Sequence, residues 1–371
     1  MIYFSNVRLK EADGITNKIL LQVNALKKKF NNVHHVYINE SGERTSSNFG
    51  TIDALSSNKY LFNLKLRTGF SKIIGLIKND QDKIIYIRYT RFGSPSFVLF
   101  LKNLKKEGFK IVLEVPTFPY DFEHKSSLIK KIFNLIENTC RNHFKHYVDY
   151  VVTFSSDSEI FGIPCVNLSN CADPGLPVSL RNDLATKNRI DLVCVSSLVE
   201  WHGYDRLIRS LAEYNDKAAL SSIDISVHII GNGESLPNLQ SMVKEYNLSD
   251  FVTFHGQLTG KELDRVMLHG DIGIDSLGRH RSGVFENNSL KSKEYLMRGL
   301  PIVKSHDDRT IDKLGYHFQV SCNDDSFDLN EVLNFVVELE QTPQSIRNVA
   351  ESIFVWEEQF KLLYKKLSDL S

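Results

Sequence analysis

Over residues 1 to about 165, short apolar runs rich in β-branched residues alternate with stretches of helical periodicity. IYFS (2–5) is followed by a periodic run at 15–30, then VHHVYI (33–38), IIYIRY (84–89), a second periodic run at 97–106, KIVLEV (110–115) and VDYVVTF (148–154). Runs that are apolar on both faces suit strands covered on both sides, and helical crossovers between them make the strands parallel. The alternation resumes at RIDLVCV (189–195), ISVHII (225–230), FVTFHG (251–256), GDIGIDSL (270–277) and LPIVKS (300–305), and it ends in a long amphipathic pattern, VWEEQFKLLYKKLSDL. The chain is thus α/β and built on parallel sheets. At 371 residues it exceeds one ordinary core and suits two domains.

Parallel sheets bind ligands outside the carboxyl ends of their strands, so the loops after these runs carry the functional candidates. The first, NVRLKEADGITNK, places Asp13 and Gly14 before a helix that Thr16 or Asp13 caps. The loop after KIVLEV, within EVPTFPYDFEH, is stiffened by two prolines and presents Thr117, Phe118, Tyr120, Asp121, Glu123 and His124 as functional side chains on a rigid support. Residues 125–147 read as a helix whose basic positions, including Lys130, Lys131 and Arg141, interleave with Ile132, Phe133, Leu135 and Ile136. Such a surface suits anionic lipid as well as plain solvation.

The strongest local signal is GVFENNSLKSKEYLMRGLP (283–301). Glu286 and Glu294 flank a turn-rich segment that leads into a helix capped by Asn288 or Ser289 and closed by Gly299 and Pro301. Lys291 and Lys293 oppose the macrodipole in its first turn, which points to an anion at that helix start. Upstream, GNG (Gly231, Gly233) ends a strand and opens a helix, a weak sign of close backbone approach to a phosphate or ribose.

Composition narrows the classes. Lys plus Arg equals Asp plus Glu, 45 each, so no net field draws the chain to nucleic acid. The five cysteines, Cys140, Cys165, Cys171, Cys194 and Cys322, stand singly with no CxxC spacing, which favours a reducing, cytoplasmic setting without a zinc site. The start MIYFSNVRLK lacks the features of a signal peptide, and no window reaches the roughly 18 to 20 apolar residues that cross a bilayer.

Taken in order, the strand ends, GNG, HGQL, the Glu286 to Glu294 spacing and the terminal Trp356 helix resemble retaining glycosyltransferases of family 4, of the type that builds bacterial capsule, exopolysaccharide and O-antigen. The resemblance implies a GT-B fold, two Rossmann-like domains with parallel sheets facing a cleft. Residues 1–172 would be the acceptor side, 173–345 the nucleotide-sugar side, and 346–371 a helix packing back on the first domain.

It also implies roles. Glu286 faces the transferred sugar and Glu294 holds the ribose. The backbone of Asn288, Ser289 and Leu290 meets the diphosphate, and Gly256, Gln257 and Leu258 cup the base. Asp13, Gly14, Thr117, Tyr120, Asp121 and Glu123 line the acceptor side. The family's Arg and Lys on the diphosphate fall at Ser197 and His202, so charge must come from a protonated His202 or from Arg206, Arg279, Arg281 or Lys291. Asn170, Cys171, Ala172 and Asp173 only partly match the family's Asn-Gly-x-Asp.

The implied activity is transfer of a sugar from a nucleotide sugar to a lipid-linked or oligosaccharide acceptor, with no cofactor, no metal and no nucleic acid. Contact with the inner membrane face would be peripheral. Two rivals are an epimerase of nucleotide sugars on the same fold and a catalytically silent subunit that activates a partner transferase.

Overall fold

A computed structural model describes residues 1–10, 13–55, 58–78, 80–118, 128–181, 187–217 and 223–369. It divides into two compact units, Met1–Leu168 with Trp356–Ser371, and Ser169–Val355. The boundaries expected from sequence lie at 172/173 and 345/346.

In the first unit, the described residues form strands β1 (Ile2–Arg8), β2 (His34–Ile38), β3 (Glu43–Ser46), β4 (Gly50–Ala54), β5 (Ile84–Arg88), β6 (Lys110–Val115), β7 (Tyr150–Thr153), β8 (Glu159–Ile160) and β9 (Ile163–Asn167). Their order is β4-β3-β2-β1-β5-β6-β7-β9-β8. The run from β2 to β9 is parallel, as the alternation predicts. One face packs Ile2, Phe4, Ile87 and Leu113 against Phe70, Phe97 and Phe100.

The antiparallel hairpin β3–β4 escapes the apolar reading because ERTS and GTIDA are polar. A buried cation holds it instead. Arg44, with no exposed surface, donates to Asp53 at 3.2 Å and to the carbonyls of Thr68 and Lys65 at 3.3 Å each. A buried guanidinium is tolerated only when its forks are so occupied.

Glu114, grouped with the acidic loop in the sequence reading, lies inside β6 and is fully buried. Its carboxylate accepts from Tyr86 Oη at 2.6 Å, from Gln22 Nε2 at 2.7 Å and from Arg88, with Lys18 at 3.6 Å. Burial alone would raise its pKa, but Lys18 and Arg88 hold it below the ordinary value. The helix Trp356–Ser368 covers this face, with Phe360 edge-on to Tyr86 at 5.8 Å and Trp356 edge-on to Phe154 at 6.1 Å.

The second unit holds β10 (Arg189–Val195), β11 (Asp224–Ile230), β12 (Val252–Gly256), β13 (Ile272–Ile274), β14 (Ile302–Lys304) and β15 (His317–Gln319) among its described residues. All are parallel, in the order β12-β11-β10-β13-β14-β15. Strand order reverses between β10 and β13. Connections there leave on opposite faces, so the loops after these two strands part and leave a place for a ligand. Gly299 closes the helix Leu290–Met297 at φ +78°, where a Cβ would lie 2.3 Å from the carbonyl oxygen of Pro343. The Gly-x-Pro ending therefore seats this helix on Pro343–Ile353.

Candidate functional site

Strand β13 ends at Ile274, and the next residue, Asp275, is a fully buried carboxylate at the switch point. It accepts from the Ser276 backbone N–H at 2.7 Å and from the Ser292 hydroxyl, and it pairs with Lys291 Nζ at 3.0 Å. Burial alone would raise its pKa, but Lys291 and the hydroxyls of Ser292 and Ser289 hold it well below the usual carboxylate range. This carboxylate draws the start of Leu290–Met297 onto the end of β13. It also neutralises Lys291, which is therefore not a spare cation. The sequence reading passed over Asp275 because it sits in an otherwise apolar run; a lone acid at the end of a buried strand was the available signal.

The helix start itself remains uncapped, because Ser289 makes no side-chain capping bond to it. Its first N–H groups and dipole stay available to an anion. One turn on, Glu294 is half-buried, and its carboxylate takes no hydrogen bond from the described residues. Burial raises its pKa, Arg298 opposes that shift and Asp173 adds to it. A half-buried carboxylate with no partner among the described residues, beside an uncapped helix start, suits a ligand that brings both hydroxyls and negative charge.

Asn288 is a strap. Its Oδ1 accepts from the Asn170 N–H at 2.8 Å, and its carbonyl accepts from Asn170 Nδ2 at 2.6 Å. Glu286 is exposed and forms an isolated parallel bridge with Asp307 in the loop after β14.

The loops after β10, β11 and β12 are laced together. Ser196 N–H donates to Ile230 O at 3.0 Å, Leu198 N–H to Asn232 O at 3.0 Å, and Gly231 N–H to Gly256 O at 2.7 Å. Gly231 has φ +132°, and a Cβ there would sit 1.8 Å from Ser196 O; at Gly233 it would sit 2.3 Å from Leu198 O. The two glycines are therefore required by the chain's own backbone. Ser197 and Gln257 are exposed, and Leu258 packs half-buried against the core beneath the site.

The side chains expected to bring positive charge, His202, Arg206, Arg279 and Arg281, are engaged by the fold itself. His202 is buried, its ring stacked on Tyr204 at 5.8 Å, and burial followed by the nearby Lys291 pushes its pKa down to about 2. Burial thus keeps the imidazole neutral near pH 7. We expect its imidazole resonances to stay flat from about pH 5 to 8, and His202→Lys to destabilise the fold by about 2 kcal/mol or more through a buried charge. Titration near 6.5 would contradict this.

Arg206 has no exposed surface, and its forks serve the Leu277 carbonyl, Asp325 O at 2.7 Å and Asn323 Oδ1 at 3.3 Å. Arg281 is bidentate to Asp205 at 2.8 and 2.9 Å and reaches Asp324 at 2.7 Å, and Arg279 is likewise engaged. These arginines brace loops. Isolated sequence spacing cannot reveal that, since their acceptors are backbone carbonyls and acids distant along the chain.

In the first unit, Asp13 caps the helix Gly14–Lys29, accepting from Thr16 N–H at 3.0 Å, and nothing crowds Gly14. Thr117 is exposed. Tyr120, Asp121, Glu123 and His124 lie outside the described residues.

Residues 179–352 match the family described as glycosyl transferases group 1. No curated protein matches the chain in sequence. Among solved structures, sucrose-phosphate synthase from Thermosynechococcus elongatus is similar over 100% of this chain and 99% of its own, with 15% identity and a TM-score of 0.62. Trehalose-6-phosphate synthase OtsA covers 100% and 97% with 13% identity and a TM-score of 0.61. The lipopolysaccharide outer core galactosyltransferase WaaB, in its apo form, covers 100% of both chains with 14% identity and a TM-score of 0.58. The chain has the GT-B fold, and residues 179–352, most of its second unit, match the glycosyl transferases group 1 family.

Proposed function

We propose that this protein is a metal-independent retaining glycosyltransferase of family 4 that moves a sugar from a nucleoside diphosphate to a lipid-linked or oligosaccharide acceptor in bacterial surface polysaccharide synthesis. The observation that carries the reading is the half-buried Glu294, its carboxylate without a partner among the described residues, beside the uncapped start of Leu290–Met297 at the switch point. In this reading Glu294 accepts from the ribose hydroxyls, the first helical N–H groups meet the diphosphate, and Glu286 faces the sugar. The bond from the anomeric carbon to the phosphate oxygen breaks, a bond to the acceptor oxygen forms, and the acceptor hydroxyl proton leaves with the phosphate. The demands are orientation and leaving-group stabilisation.

The first unit would take the acceptor. Its helix Leu128–Arg141 exposes Ile132 and Leu135 (54% and 68%) on a basic element, which supports peripheral contact with an anionic membrane. The engagement of Arg206, Arg279 and Arg281 within the fold favours, as a second reading, a catalytically silent subunit that activates a partner transferase.

A panel of nucleotide sugars incubated with lipid-linked acceptors and followed by mass spectrometry tests this. The expected result is transfer from one donor, with the anomeric configuration kept and the rate unchanged by EDTA. Donor binding without turnover selects the silent subunit, and loss of activity in EDTA with rescue by magnesium or manganese refutes metal independence.

A further inference from the structure

Three lysines near the donor site are each matched by an acid: Lys291 by Asp275, Lys293 by Asp308 and Lys304 by Asp312. The arginines read from the sequence are engaged elsewhere. One arginine is different. Arg309 is half-buried, its Nε is buried without a partner, and it makes no ion pair or hydrogen bond among the described residues. Buried donors are nearly always satisfied, so an unpaired guanidinium N–H asks for an acceptor that the described residues do not supply.

Its position says where that acceptor would lie. Residues 305–310 leave the carboxyl end of β14 and run beside the segment that carries Glu286. Asn287 N–H donates to Asp307 O at 2.9 Å and Asp307 N–H to Phe285 O at 2.8 Å. Thr310 Oγ1 accepts from Asn288 Nδ2 at 3.5 Å and lies 3.3 Å from Ser169 Oγ, while the Asp308 carboxylate is committed to buried Lys293. Arg309 is thus held between two residues anchored to the segment from Glu286 to Ser289. The other acidic residues in this stretch, Asp307 and Glu286, are exposed to solvent, and among the described residues no acid forms an ion pair with Arg309.

We propose that Arg309 is the cation that binds the diphosphate of the donor, standing in for the charges absent at Ser197 and His202. A guanidinium presents two parallel donors to phosphate oxygens, and a partly desolvated one loses little hydration on doing so. The inference rests on the donor-site reading above, and it assigns a role to a residue that lies outside the Glu286 to Glu294 motif.

The test is calorimetric titration of the full chain with UDP, GDP, ADP and dTDP, and with the nucleoside of whichever one binds, for the parent, Arg309→Ala, Arg309→Lys and Glu294→Ala. The expected result is a loss of about 10- to 100-fold in nucleoside diphosphate affinity for Arg309→Ala, part of it recovered in Arg309→Lys, with nucleoside affinity unchanged. Glu294→Ala should weaken both ligands. Parental diphosphate affinity in Arg309→Ala, with Glu294→Ala impaired, overturns the role of Arg309 and leaves the functional reading standing. Equal loss for nucleoside and diphosphate makes Arg309 structural and also overturns it. If the parent binds none of the four diphosphates, the functional reading fails and this inference with it.

Discussion

Glu294→Ala should cost roughly 2 to 4 kcal/mol of donor binding or transition-state stabilisation, read from Kd and kcat/KM, because charge-assisted bonds to two ribose hydroxyls would be lost together. The same residue should behave oppositely in stability. Its carboxyl has a pKa raised from the ordinary 4.5 by burial, so the ionised form is the one the fold disfavours. For a raised carboxyl, stability is greatest below the unfolded value and declines as pH rises through the folded value. Glu294→Gln should therefore match or exceed the parent in thermal stability at pH 7 while losing donor affinity, and the gap should close on acidifying below 4.5. A variant that loses stability and keeps affinity would assign Glu294 to the scaffold.

The second large effect is on folding. Lys293 Nζ and the Asp308 carboxylate are both fully buried and pair with each other. Asp308 also accepts from the Thr310 backbone N–H at 3.1 Å and hydroxyl at 2.6 Å, and Lys293 lies 5.3 Å over the Phe354 ring. Removing one partner strands the other charge away from water. Asp308→Ala should lose about 3 to 5 kcal/mol, a drop of roughly 6 to 20 °C in Tm. The double variant Lys293→Met with Asp308→Leu should recover most of that, since no uncompensated charge remains. Burial would raise the Asp308 pKa, but Lys293 leads the interactions that hold it below the ordinary 3.8. Its contribution is present above 3.8 and lost as pH falls through the lower folded value. Denaturant melts at pH 7 and pH 3 measure both claims, and an additive double variant would sink the pairing argument.

Lys293 shows how far local reading reaches. From sequence it stood with Lys291 as a cation in a first helical turn that needed an anion. Tertiary structure supplies an internal anion to each of them, and the helix start stays uncapped through Ser289 instead. A ligand is then inferred from absent partners rather than from opposing charge.

The alternation of apolar runs and helical periods determined the α/β class and the parallel strands, because a strand buried on both faces must be apolar throughout and a crossover helix must be amphipathic. The turn chemistry of RGLP likewise determined where the helix of the site ends, since Gly299 takes the left-handed conformation that closes it. Which charges are free was decided only by the tertiary structure. Arg206 reaches carbonyls more than seventy residues along the chain, and Asp275 meets Lys291 and Ser292 from another element. A side chain's electrostatic role depends on burial and partners that the fold brings together, and no spacing along the chain encodes them.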